Sequence, residues 1–331
     1  MTEVKKKVPE GLLYDNEGFR MSTPPEIASY IAERVGGGVI ADIGCGIGVQ
    51  TIYFARRSER VIAVDMDPRR LEICRKNCEK MQIENVDFVL GDALSEKVIG
   101  RVREAEVIHS DPSRLKGGKW TMDLLSPNPL KVSRAYGGDM CFDLPALMPV
   151  EEIPQEWERE FISLGGELKR MCTYTGTLKR YERSAVSLPG GGRVVYDPKV
   201  DRKIWTEERP SRFIYDIDPS ISVSGLLPEF LSLYGDMRVI QQDRQRTLAT
   251  SQAVIRDQFI TRSYEILVKA GNLADLKKRI KEIGAGKIYL RFSIDPALYY
   301  SVKNSLEEGL DGDTPVFIFK FQDLFYAAIR I

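Results

Sequence analysis

The run Asp42-Ile43-Gly44-Cys45-Gly46-Ile47-Gly48 sets an acid and alternating glycines between a short apolar segment and a helix-like one. Such a turn lets backbone N–H groups and a helix N-terminus approach a ligand closely, because no side chain blocks the way. A dinucleotide-binding turn has its third glycine where Val49 stands here, so the pattern disfavours a nicotinamide cofactor. Asp65 ends the next apolar run, where a carboxylate can accept hydrogen bonds from both hydroxyls of a ribose. Gly91-Asp92-Ala93 ends the third, where a carboxylate beside an apolar slot can bind an adenine amine. Together these stations describe a crevice for an adenosyl ligand. A purely structural turn at the glycines, and helix capping by Asp65, are the alternatives. Ser110-Asp111-Pro112-Ser113-Arg114 ends a fourth run beside the same crevice.

Alternating strands and helices must position these residues. Val39–Asp42, Arg60–Asp65, Val86–Leu90, 106–110 and Met140–Leu144 read as buried strands, with helices over Val49–Arg56 and Pro68–Met81, and parallel βαβ units satisfy that order most simply. Ahead of them, Thr23 as N-cap, Pro24 at the first helical position and Glu26 three residues on predict a capping box opening a helix with Ile27, Tyr30, Ile31 and Arg34 on one face. Segments 160–164, 171–174 and 184–188 look like antiparallel strands, making the sheet mixed at one edge. Pro189–Gly192 and a polar stretch from Tyr196 to Pro210 break the pattern, which places a domain boundary near residue 210. From Tyr264 the order is strand, helix (Leu273–Ile283), strand (Lys287–Phe292), helix (Ala297–Glu307) and two strands. The fold class expected is α/β, with a doubly wound, mostly parallel Rossmann-like sheet and a second, smaller α/β domain.

A chain of 331 residues with 43% apolar residues suits two packed cores. No segment has the length and apolarity of a membrane span or a secretory signal, so a cytoplasmic protein is expected. Lysine plus arginine equals aspartate plus glutamate at 48 each, and any contact with nucleic acid must therefore come from local patches. The five cysteines lack paired C-x-x-C spacing, which argues against disulfides and against a metal site. Cys74 and Cys78, at i and i+4, read as helix packing.

The motifs ADIGCGIGVQT, VIAVDMDP and FVLGDAL resemble the first three motifs of class I methyltransferases that use S-adenosyl-L-methionine, and YDNEGFRMSTPPEIA resembles the leader of the trimethylguanosine synthase group. Closer still, SDPSR, EWEREFISLGGELKR, SLPGGG and the segment from Tyr264 onward resemble a prokaryotic RNA methyltransferase family with a THUMP-like C-terminal domain. The resemblance implies a methyltransferase domain over 1–210 with a helical leader over about 1–36, a THUMP-like substrate domain over 211–331, and tRNA or rRNA as substrate. It implies that Asp42, Gly44, Gly46 and Gly48 surround the methionine moiety, Asp65 the ribose and Asp92 the adenine, with Cys45, Met66, Gly91, Ala93 and Asp111 completing the cofactor set.

Base-amine methyltransferases carry Asp or Asn, two prolines and an aromatic at the fourth station. Here Asp111 and Pro112 are followed by Ser113 and Arg114, so the stacking ring must come from Trp120 or Tyr136. Asp111, Pro112 and Arg114 are the catalytic candidates, Arg114 suiting either a phosphate or carboxylate contact or a pairing with a surface acid. His109, the single histidine, reads as packing rather than as a base. The loop from Arg114 to Trp120 mixes cations, glycines and an aromatic and suits phosphates and a stacked base, or plain solvation. Lys277, Lys278, Arg279 and Lys281 form a charged outer helix face that needs no ligand. A small-molecule or protein methyltransferase, and a cofactor-binding protein without turnover, are the competing functions.

Overall fold

The computed structural model describes residues 8–114, 120–243 and 246–331. It divides into two compact units, Met1–Tyr196 and Asp197–Ile331. The boundary expected near 210 lies inside the second unit. The stretch before Phe213 belongs there because Arg202 pairs with Glu229, the Asp197 N–H donates to Glu229 at 3.4 Å, and Thr206 bridges to Val239.

In the first unit α1 (Asn16–Met21) and α2 (Pro25–Val35) precede β1 (Val39–Ile43), α3 (Val49–Ala55), β2 (Arg60–Asp65), α4 (Pro68–Lys80), β3 (Val86–Leu90), α5 (Glu96–Val102) and β4 (Val107–Ser110). A small ladder of β5 (Ser113–Arg114) with β6 (Leu125–Ser126), then α6 (Pro129–Tyr136), leads to β7 (Asp139–Leu144), β8 (Glu158–Leu164), β9 (Glu167–Tyr174), β10 (Arg183–Leu188) and β11 (Gly192–Val195). The nine-stranded sheet runs β11-β10-β8-β9-β7-β4-β1-β2-β3. Its central strands read as continuous apolar runs because helices cover both faces.

The sheet is mixed toward one edge, as expected, with β9 and the edge strand β11 running against their neighbours, but β10 pairs parallel to β8 rather than antiparallel. A tight hairpin at Gly165-Gly166, both at positive φ, folds β9 back between strands already in place. The capping box at Thr23 does not form either. Helix α2 starts one residue later with Pro24 at its cap, and the Thr23 hydroxyl accepts a hydrogen bond from Arg170 at 3.2 Å instead. Arg34 on α2 is buried against Glu158 at 2.7 Å and against Glu160, with its guanidinium 3.6 Å from the centre of the Tyr174 ring, and this ties α2 to β8 and β9.

The second unit holds β12 (Phe213–Ile217), α7 (Pro219–Val223), α8 (Leu227–Ser232), β13 (Arg238–Gln242), β14 (Thr247–Ser251), β15 (Ile260–Ala270), α9 (Leu273–Glu282), β16 (Ala285–Leu290), α10 (Pro296–Glu307), β17 (Thr314–Phe321) and β18 (Leu324–Arg330). The seven-stranded order is β13-β14-β12-β15-β18-β17-β16. The strands from β15 onward follow the sequence pattern. The segment 213–251, where the sequence pattern marked no strands, joins them in one sheet, for β12 inserts beside β15 and recruits β13 and β14. On α9, Arg279 pairs with Asp275 and Lys277 with Glu308. Among the described residues no helix is long and apolar enough to cross a membrane.

Candidate active site

A cavity of about 1060 Å³ opens at the carboxyl ends of β1 to β4, where doubly wound sheets collect ligands. The Gly44 and Cys45 N–H groups both donate to the Val64 carbonyl, at 2.8 and 3.0 Å, which folds the glycine turn over β2. Gly46 has φ of 55° and, among the described residues, nothing but the Gly44 carbonyl within 4 Å of the Cβ it lacks, so its conformation, not crowding, requires glycine. Gly48 differs. It does not line the cavity; it caps α3 at φ 85°, and a Cβ there would lie 2.5 Å from the Cys74 sulfur. Its role is close packing of α3 on α4, not the contact expected of it.

Asp65 is used by the turn itself. Its Oδ2 accepts from the Gly46 N–H and its Oδ1 from the Asp67 N–H, both at 2.8 Å, leaving each oxygen further acceptor capacity on the cavity side. Asp92 is exposed at the cavity rim and its Oδ1 accepts from the Leu94 N–H at 2.9 Å. Met66, 70% exposed, and Cys45, Gly91 and Ala93 also line the cavity. Tyr136 donates its hydroxyl to the Ala93 carbonyl at 2.6 Å and packs on the core, so it holds the Gly91–Ala93 turn rather than offering a free stacking face.

The face of the sheet beneath this cavity carries an alternating row of charges. Parallel register sets Asp42 opposite His109, and Cys141 opposite His109 on the other side. His109 Nδ1 lies 2.8 Å from Asp42 Oδ1, and Nε2 lies 3.5 Å from Asp143 Oδ2. Asp143 continues to Arg170, whose Nη1 also lies 3.7 Å from Asp111. The Thr51 hydroxyl donates to the second Asp42 oxygen at 2.5 Å, and the Cys172 thiol donates to Asp143 at 3.0 Å.

This geometry decides protonation. Burial opposes a charged His109, but hydrogen bonds to Asp143 and Asp42 outweigh it and hold the ring's pKa well above its usual value. A neutral ring has a single N–H and would leave one carboxylate facing a lone pair. Burial pushes Asp143 up, yet the Arg170 charge and then His109 leave it below the ordinary carboxylate range. Asp111 is pushed up to about 6, first by desolvation, with Asp143 and Asp42 adding and Arg170 and His109 opposing. Its side chain is 37% exposed to the cavity, so it exchanges protons with solvent readily. Counting His109 and Arg170 as cations, the row carries one net negative charge.

Of the sequence-expected catalytic residues, Asp111 and Arg114 line the cavity while Pro112 is buried outside it. The Arg114 guanidinium sits 3.8 Å from the centre of the Trp120 ring. The basic loop between them, 115–119, lies outside the described residues. His109, read from sequence as packing, is buried and also lines the cavity. As site residues, Asp143, Arg170 and Thr23 escaped sequence reasoning, which read Thr23 only as a helix cap. A charged residue in the middle of an apolar strand, as in MCFDL, is the signal that could have found Asp143. Ligand atoms of His109, Cys141 and Asp143 lie within 4.8 Å of one another, but a metal ion there would have to displace the ion pairs just described.

Residues 40–111 match the family described as a methyltransferase domain. An uncharacterized S-adenosylmethionine-dependent methyltransferase of Mycobacterium tuberculosis is 25% identical over 86% of this chain and 78% of its own length. The chain is an S-adenosylmethionine-dependent methyltransferase. A crystal structure from Porphyromonas gingivalis W83 that carries a methyltransferase name shares the fold, with a TM-score of 0.74 at 14% identity, over 96% of this chain and 82% of that one. An uncharacterized RNA methyltransferase of Clostridium acetobutylicum is 25% identical over 38% of this chain and 31% of its own.

Proposed function

We propose that this methyltransferase acts on RNA, tRNA or rRNA, with the cavity of the first unit as its transfer site and the second unit as a THUMP-like RNA-binding domain. The row Asp42–His109–Asp143–Arg170–Asp111 carries the assignment of the transfer site. Its net negative charge favours a cationic cofactor docked above it, out of bulk water. The cavity residues fit that cofactor: the bare turn at Gly44 and Gly46 admits close backbone approach, Asp65 has acceptor capacity left for ribose hydroxyls, and Asp92 stands beside Met66 and Ala93 where an adenine would lie.

Bound S-adenosylmethionine supplies a methyl group already activated on a sulfonium. The protein then has to position the nucleophile in line and exclude water. Asp111, at the cavity end of the row and ionised above pH about 6, accepts a proton from the attacking nitrogen or oxygen. The imidazolium of His109 fixes Asp42 and Asp143 and takes no part in the transfer.

For RNA as substrate the support is local. Arg114, which lines the transfer cavity, stacks on Trp120, a guanidinium and an indole suited to a phosphate and a base, and the Clostridium relative is named as an RNA methyltransferase. The test is methyl transfer from labelled cofactor to unmodified tRNA and rRNA, compared with protein and metabolite fractions, followed by mass-spectrometric mapping of nucleosides. Label confined to protein or metabolites would remove the RNA reading and leave the transfer site standing.

A further inference from the structure

In the second unit, one buried carboxylate draws three guanidinium groups. Asp216 on β12 is 4% exposed. It pairs with Arg246 Nε, with Arg291 Nη2 at 3.3 Å and with Arg262 Nη1 at 3.6 Å. A single carboxylate cannot neutralise three cations or accept from all their N–H groups. The shortage shows in the donors: Arg246 Nη2 and Arg291 Nε are shielded from solvent without a hydrogen-bond partner among the described residues. Unsatisfied donors of this kind are costly unless an acceptor arrives.

Beside Arg246 and Arg291 lies an open cavity of about 530 Å³ that Lys320, Ser293, Phe292 and Asp243 also line. Among the described residues, Arg246, Arg291 and Lys320 line it with Asp243, and with Arg262 and Asp216 included four cations meet two acids. Asp243 Oδ1 accepts from the Arg246 N–H and Oδ2 from the Gln241 amide, both at 2.9 Å. The cavity therefore presents incompletely neutralised guanidinium groups, a hydroxyl and a lysine around a space large enough for a tetrahedral dianion or a phosphodiester. The Phe292 ring at its wall adds an apolar surface such as a sugar or base would meet.

We propose that this cavity is a phosphate-binding site and that, resting on the RNA reading above, its occupant is a backbone phosphate of the RNA substrate. Lys320 and Ser293 are the residues to change, because neither is paired with Asp216, whereas removing Arg246 or Arg291 would disturb the buried carboxylate. Binding of a fluorescein-labelled mixed-sequence RNA oligonucleotide to the full chain is measured across a salt series. Lys320→Gln should weaken binding several-fold and lower the slope of log K against log salt by about 0.7. Ser293→Asp, which sets an acid against the phosphate, should weaken it about tenfold. Calorimetric affinity for S-adenosylmethionine should be unchanged in both, showing that the first unit is intact.

If the native protein binds RNA and both variants keep its affinity and slope, the proposal is overturned. If the native protein binds no RNA, the RNA reading fails by itself, and the site is judged with inorganic pyrophosphate. Line broadening of its phosphorus resonance by the native chain, lost in both variants, supports a phosphate site that serves another phosphorylated ligand. No broadening overturns it.

Discussion

Replacing His109 by glutamine removes the cation that Asp42 and Asp143 share. Deleting one member of a buried ion pair leaves its partner uncompensated, at a cost of about 3–5 kcal/mol. Here each carboxylate keeps another donor, the Thr51 hydroxyl at 2.5 Å for Asp42, and Arg170 with the Cys172 thiol at 3.0 Å for Asp143. The loss should accordingly fall at the lower end, about 3 kcal/mol, which lowers the Tm of a unit of this size by about 6–12 °C. The deficit depends on pH in a definite direction. Because the folded ring titrates well above its ordinary value, its contribution is complete below the unfolded pKa of about 6.5 and fades as pH rises toward the folded pKa, by about 1.4 kcal/mol per pH unit. Native and variant melting curves should thus converge on the alkaline side. As the single histidine, its imidazole resonances can be read by NMR without ambiguity, and a doubly protonated ring is expected at a pH above the ordinary imidazole value of about 6.5. A neutral ring at that pH, or a Tm gap constant from about pH 6 to 9, would refute the charge assignment.

Asp65→Ala should abolish S-adenosylmethionine binding by calorimetry while the chain stays folded, at a cost of about 1–3 kcal/mol for each of the Gly46 and Asp67 N–H groups left without its acceptor; undiminished affinity would sink the ribose assignment. Native transfer rates should climb with pH through about 6 and level off as Asp111 ionises. Asp111→Asn should lower the plateau and erase that rise, and an identical pH profile would exclude Asp111 as the proton acceptor. Gly48→Ala should cost about 1–3 kcal/mol in urea unfolding, since the new methyl meets Cys74 and the left-handed backbone disfavours it; a neutral result would mean that α3 and α4 pack less tightly than their distances imply.

What the sequence determined by itself is the local part. Apolar runs ending in acids and glycines marked β1 to β4 and put Asp42, Asp65, Asp92 and Asp111 at their carboxyl ends, since strand period and turn chemistry are properties of neighbours along the chain. It could not say which strand lies beside which. Strand pairing brought Asp42 opposite His109 and Asp143 opposite Cys172, and only then did a histidine that looked like packing become an imidazolium. The hairpin that inserts β9 carries Arg170 into the row and draws Thr23 away from its helix cap. The same limit hid β12, whose Asp216 looks misplaced in an apolar run until three distant arginines surround it. Charge state and ligand geometry depend on groups far apart in sequence that share a low-dielectric space, and tertiary packing alone chooses them.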